Sequence, residues 1–256
     1  MLEDLKKYIE ENYNINVIDI EKNTASTEGN VYIIKNEYVV KVYEDLYHVK
    51  NMIELHRLLE LKNIYAPKII KTKTNNSYIN FISGKYIVIY SFILGNEISE
   101  LDNNIICNIA NLLRKLHNET LNNKLNLSSI NFINNKNIKR KSILHFDITR
   151  HNVFNNNAEI IFIDFDDAKY GESVIDVAIA ITNLFFSKKR CVNKQGINIF
   201  IDEYYKDDIE NKIIELPLIK SIAIKWINYV LSGHEFDAST FESFNIKKKL
   251  IEENLD

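Results

Sequence analysis

The chain holds six glycines, at Gly29, Gly84, Gly95, Gly171, Gly196 and Gly233, and no two lie within ten residues of each other. A Walker A loop needs two glycines five apart, and a dinucleotide fingerprint needs three within six residues. In both, the backbone turns sharply and approaches phosphate closely, so neither can be built here. Any nucleotide must be held by another device. The chain has 256 residues, 46% hydrophobic and 26% charged, which leaves room for one large globular domain or two small lobes.

The balance of 32 basic against 35 acidic residues gives a formal net charge of -3 and no electrostatic footprint for nucleic acid or an anionic membrane. Cys107 and Cys191 are too few for a disulfide framework and match no zinc spacing, so they read as buried thiols in a reducing compartment. The N-terminal stretch is acidic with no apolar core, and the longest apolar runs, such as Tyr86 to Leu94, fall far short of a membrane span. The expected location is the cytoplasm. Lys, Ile and Asn are abundant throughout, as AT-rich codon usage produces, so Asn155-Asn156-Asn157 reads as a turn rather than a low-complexity signal.

Apolar spacing over Leu2 to Glu11 predicts a short amphipathic helix. Val31 to Ile34 and Tyr38 to Tyr43 are β-branched and aromatic, with Lys35-Asn36-Glu37 as a hairpin turn. Asp45 to Leu61 reads as a helix, followed shortly by Pro67. Strands are expected at Lys68 to Thr72, Tyr78 to Ile82 and Lys85 to Ile93. After Gly95 the pattern becomes helical, first at Asn104 to Leu116 and again beyond Asp176, while Asn122 to Lys141 reads as a connecting segment.

The chemistry-bearing cluster begins at His145-Phe146-Asp147, with Asn152 five residues after the Asp. This is the spacing of a kinase catalytic loop, in which the Asp accepts the proton of the attacking hydroxyl and the Asn offers a neutral oxygen to magnesium. Seventeen residues past Asp147, Asp164 ends the apolar run Ile160 to Ile163 and is a second magnesium ligand candidate. A hairpin between the two would return Asp164 to Asn152. Phosphoryl transfer also needs a strand Lys on the phosphates and a helix Glu to orient it; Lys41 and Glu54 stand in that order.

Together these residues resemble the protein-kinase-like small-molecule kinases: aminoglycoside phosphotransferases, choline kinases and homoserine-type kinases. The resemblance spans roughly Gly29 to Asp176 and rests on His145-x-Asp147-x4-Asn152, Ile163-Asp164, the helix leading to Pro67, Leu113-x2-Leu116-His117 and Asp176-Val177-Ala178. It implies a bilobal α+β fold. Residues 1–92 would form a nucleotide-binding lobe with a small antiparallel sheet and one main helix, and residues 93–256 a mostly helical catalytic and substrate-binding lobe. It further implies ATP or GTP as co-substrate with Mg2+, a hinge at Ser91 to Ile93 that meets the base through its backbone, and Gly29 in the loop over the phosphates. Asp176 would brace the catalytic loop. Two departures stand out: Phe146 replaces the family's usual glycine, and the phosphate loop keeps only Gly29.

The implied activity is transfer of a γ-phosphate to a hydroxyl of a small molecule. The acidic residues from Asp164 to Asp167 and Glu172 lean the acceptor toward a cation, such as an aminoglycoside or amino alcohol. The alternatives are a non-catalytic nucleotide-binding regulator, an atypical protein kinase, and a metal hydrolase built on His145, Asp147, Asp164 and Asp166. The protein-kinase reading lacks an Ala-Pro-Glu segment, and the hydrolase explains neither Lys41 nor Glu54. Asp166, Asp167, Arg150 and His151 can serve substrate or simply face water. Trp226 and Tyr229 read as core before cage, His117 as packing, and Lys247-Lys248-Lys249 as a solvated helix face.

Overall fold

A computed structural model describes residues 2–23, 30–156, 159–187, 191–233 and 236–255. The chain divides into two compact units, residues 1–95 and 96–256.

In the first unit, helix α1 (Leu2–Asn12) precedes strands β1 (Ile20–Lys22), β2 (Val31–Ile34) and β3 (Tyr38–Tyr43). Helix α2 (Leu46–Leu61), β4 (Ile79–Asn80) and β5 (Tyr86–Ser91) follow. The strands form an antiparallel sheet in the order β1-β2-β3-β5-β4. The β2–β3 turn bends through Lys35 and Asn36, both in the left-handed region at φ 49° and 54°. Strand periodicity sorts β3 between two cores. Val40 and Val42 pack with Leu5 and Ile9 of α1, whereas Val39 and Tyr43 pack with Val49 and Ile53 of α2. Lys41 therefore belongs to the α2 face. Asp45 starts α2 by accepting the Tyr47 N–H at 2.8 Å.

The strand expected at Lys68 to Thr72 is a single bridge, Ile69 to Tyr90. Thr72 is drawn instead into a local turn, where its hydroxyl accepts the Asn76 N–H at 2.9 Å.

The second unit opens with β6 (Asn96–Glu97), α3 (Asn103–Glu119) and β7 (Lys141–Leu144). The hairpin of β8 (Val153–Asn155) and β9 (Ile160–Phe162) and then β10 (Lys169–Glu172) lead into five helices. These are α4 (Val174–Phe185), α5 (Lys194–Tyr204), α6 (Ile209–Glu215), α7 (Ile219–Gly233) and α8 (Ala238–Asn254). Helix α4 is buried nearly all round, as its apolar sequence requires, and packs against α5 and α7. β7 pairs with β10, and β6 joins β8–β9. The expected α+β class is observed. No helix among the described residues is long and apolar enough to cross a membrane. Cys191 is exposed and Cys107 half-buried, so the expectation of two buried thiols is corrected.

Gly171 in β10 lies against the connecting segment: an added Cβ would meet Ile130 Cγ2 and the Ile130 carbonyl oxygen at 2.9 Å. Overpacking of this kind costs about 1–3 kcal/mol. Gly171→Ala is expected to lower the thermal midpoint by several degrees, measured by circular dichroism; an unchanged midpoint would show that the 128–130 segment yields freely.

Candidate active site

β7 delivers the chain into the loop from His145 to Asn152, and one carboxylate sets the loop's entry. Asp176, in the first turn of α4 and fully buried, accepts the His145 N–H at 2.7 Å and the Phe146 N–H at 2.9 Å. His117 Nε2 adds a third bond at 3.2 Å. Burial pulls the His117 pKa below its ordinary value, with the Asp176 bond opposing, so the ring is neutral and donates through Nε2–H. Its Nδ1 then accepts from the Tyr204 hydroxyl at 2.6 Å. Burial raises the Tyr204 pKa and keeps that hydroxyl protonated.

His145 is an internal strut. Its Nε2 donates to the Ile163 carbonyl at 2.9 Å, and its Nδ1 accepts the Asp147 N–H at 3.3 Å. The ring thus ties the residue before Asp164 to Asp147 itself. Phe146 sits in the left-handed region at φ 69°, which explains why a glycine is usual there. Its side chain is buried against Phe132 and Tyr229, at 6.3 and 5.7 Å between ring centroids.

Asp147 and Asn152 are joined directly: Asn152 Nδ2 donates to Asp147 Oδ2 at 2.7 Å and to the Asp147 carbonyl at 3.0 Å. Burial raises the Asp147 pKa; the charges of Asp167 and Asp164 add to that, while His145 and the Asn152 bond oppose it. Asn152 Oδ1 has no donor among the described residues, so its lone pairs are unused. The hairpin returns the chain as expected, with Val153 paired to Phe162 and the Ile163 N–H on the Asn152 carbonyl at 3.0 Å. Asp164 follows at φ 64°. No trio of His, Cys, Asp or Glu among the described residues could hold a metal alone. An amide oxygen and a carboxylate at one hairpin end nevertheless suit magnesium, which takes few protein ligands beside phosphates and water.

The other sequence candidates fall out variously. Lys41 is half-buried on β3, paired with Val31 and Val88, and Glu54 is exposed on α2, which packs on β3. At the expected hinge, the Ser91 and Phe92 N–H groups are taken by Lys68 and Glu37 carbonyls, whereas Ile93 makes no backbone hydrogen bond among the described residues. Gly29 lies outside the described residues. His151 is exposed and bonded to Glu97 at 2.6 Å. Trp226 is core, at 6.0 Å from Phe244. Lys247 is not part of a solvated face; it is half-buried and donates to Asn183 Oδ1 at 3.1 Å. Nothing in a lysine-rich sequence marks it.

The fold, with an Asp–Asn loop and a hairpin-borne Asp, is similar to that of kinase-like phosphotransferases. Residues 134–196, which hold the loop, the hairpin and α4, match the phosphotransferase enzyme family. A spectinomycin phosphotransferase solved with ADP and spectinomycin is 15% identical, with 98% of this chain and 96% of that one covered and a TM-score of 0.70. A microcompartment-associated aminopropanol kinase is 10% identical, covering 96% and 94% at a TM-score of 0.73. An amicoumacin kinase solved with AMP-PNP and Ca2+ is 13% identical, covering 98% and 93% at a TM-score of 0.72. No curated protein matches this chain. The resemblance and kinase-like fold expected from the sequence are borne out.

Two outcomes test this site. Left-handed backbone costs a bulky residue about 1–2 kcal/mol, whereas deleting a buried Phe side chain costs about 3–5 kcal/mol. Phe146→Gly should therefore be net destabilised by roughly 2–3 kcal/mol in chemical denaturation; a stabilised variant would mean that strain, not packing, dominates. Because His117 resists protonation when folded, the unfolded state binds the extra proton as pH falls below about 6.5, and stability drops. Between pH 7.5 and 5.5 the wild type should lose more thermal stability than His117→Gln. Equal losses would contradict a neutral buried ring.

Proposed function

We propose that the protein transfers the γ-phosphoryl group of ATP or GTP to a hydroxyl group of a small molecule. The observation that carries this reading is the Asp147 carboxylate, fixed by Asn152 on one oxygen and left with the other. An acceptor hydroxyl bonded to that second oxygen would attack the γ-phosphorus. The bond from γ-phosphorus to the bridging oxygen breaks, the hydroxyl proton passes to Asp147, and a phosphate monoester and the nucleoside diphosphate leave. The raised pKa of Asp147 makes it a better proton acceptor than an exposed carboxylate. Magnesium, held by Asn152 Oδ1 and Asp164, would supply neutralisation of the phosphate charge.

In the first unit, Lys41 would hold phosphates and Glu54 would orient it; their placement on β3 and on the helix packed against it supports that pairing. Ile93, with open main-chain groups, fits the base contact better than Ser91, and Gly29 keeps its role from the family resemblance. The regulator alternative was motivated by Phe146. The backbone there takes the conformation a glycine would, which favours an intact catalytic loop.

Asp147→Ala should lower kcat by roughly 10²–10⁴ while nucleotide binding persists. The assay is magnesium-dependent ADP or GDP release across a panel of hydroxyl acceptors. Turnover at the wild-type rate would sink the assignment.

A further inference from the structure

The C-terminal end of α4 gathers two cations near the catalytic loop. Arg150, three residues after Asp147, donates to the Leu184 carbonyl at 3.2 Å and to the Ser99 carbonyl at 2.6 Å. One residue earlier on the same helix, Asn183 Oδ1 accepts from Lys247 Nζ of α8 at 3.1 Å. Neither cation has a carboxylate partner among the described residues. That contrasts with Arg114, Arg140, Lys141 and Lys249, each of which pairs with an acid.

The amide of Asn183 sharpens the picture. Its Nδ2 is buried with no hydrogen-bond partner, an unfavourable state for a donor. Flipping the amide would not help, because it would aim the NH2 group at the Lys247 ammonium. The donor is therefore left facing away from Lys247. Lys247 itself spends one of its three donors on Asn183. Burial lowers its pKa to about 8, with Asp147 opposing and Arg150 adding to the fall, so it remains mainly charged near neutral pH.

We propose that Lys247, seated on Asn183 beside Arg150 and the catalytic loop, binds an acidic group of the phosphate acceptor. The acceptor is then a hydroxyl compound bearing a carboxylate or a phosphate. Two cations without carboxylate partners suit an oxyanion and repel an ammonium group. The acidity that leans the sequence toward a cationic acceptor is drawn from Asp164 to Asp167, at the hairpin end that suits metal and phosphates. The inference rests on the phosphotransferase reading for the term acceptor, but the binding it asserts does not require turnover.

The test uses four three-carbon diols of like size on the full chain: glycerol, 3-amino-1,2-propanediol, glycerate and glycerol 3-phosphate. Binding is followed by NMR titration, with and without magnesium and a non-hydrolysable nucleotide. One of the two oxyanion diols should bind roughly tenfold or more tightly than glycerol, and the amino diol most weakly. Which oxyanion wins distinguishes carboxylate from phosphate. Lys247→Met should erase the preference, and Lys247→Arg should keep most of it. In transfer assays the loss should fall on the KM of the oxyanion acceptor rather than on kcat. An equal loss with all four acceptors, a preference for the amino diol, or no discrimination in the wild type each overturns the inference. If Lys247→Met does not fold, the wild-type order and Lys247→Gln decide. If no acceptor is phosphorylated, the phosphotransferase reading falls, while the binding order still decides this one.

Discussion

Asp176 carries two backbone N–H groups of the catalytic loop on one buried carboxylate. Burying an isolated carboxylate costs several kcal/mol, and the offset here comes from hydrogen bonds rather than from a cation. The arrangement is mutual. Without the carboxylate, two N–H groups at the loop entry would lie buried and unmet; without the loop, the charge would be stranded beneath α4. The support extends outward, from the Arg140 guanidinium to the Tyr204 hydroxyl at 3.4 Å, on to His117, and so to Asp176. Helices α3, α4 and α5 thus converge on the position of a loop that belongs to none of them. Asp147 inherits its place from that convergence.

The scarcity of glycine reappears in this loop in another form. Where the backbone must turn left-handed, the chain uses Asn36, Asn63, Asn75 and Asn122, whose short side chains tolerate that region. The asparagines that look like codon usage thus meet a conformational need at these turns. Asp164 shares that tolerance, whereas Phe146 does not. Both flank chemistry, and both are held by neighbours: the Phe146 N–H by Asp176, and the residue before Asp164 by His145. Strain of this sort persists only where surroundings over-determine it.

What could be read from the residues alone followed from local order. The β2–β3 hairpin, α2, α3 and the return of Asp164 to Asn152 are set by periodicity and spacing within a few tens of residues, and they stand as expected. Failures arose where a side-chain bond or a distant partner overrides local composition. Lys68 to Thr72 has strand composition but loses its register to a Thr72 turn. Strands β7 and β10 pair across the whole hairpin, so neither announces itself. Lys247 is one lysine in a run of three, and only the packing of α8 distinguishes it from its neighbours.

Around Asp147, charges of both signs stand without an ion pair to it. Asp164 and Asp167 raise its pKa. Near it as well stand Arg150 and Lys247, which lack acidic partners among the described residues. A carboxylate flanked by acids alone would resist ionisation, and one paired directly to a cation would be a poor base. The Asp147 carboxylate is instead bonded, among the described residues, to a neutral amide, with charge of both signs at a distance. Such a group can take a proton without first breaking an ion pair. Under the proposed chemistry, this arrangement would give a phosphoryl donor with its metal and an acidic acceptor different neighbours, so two anionic reactants would not compete for one set of cations.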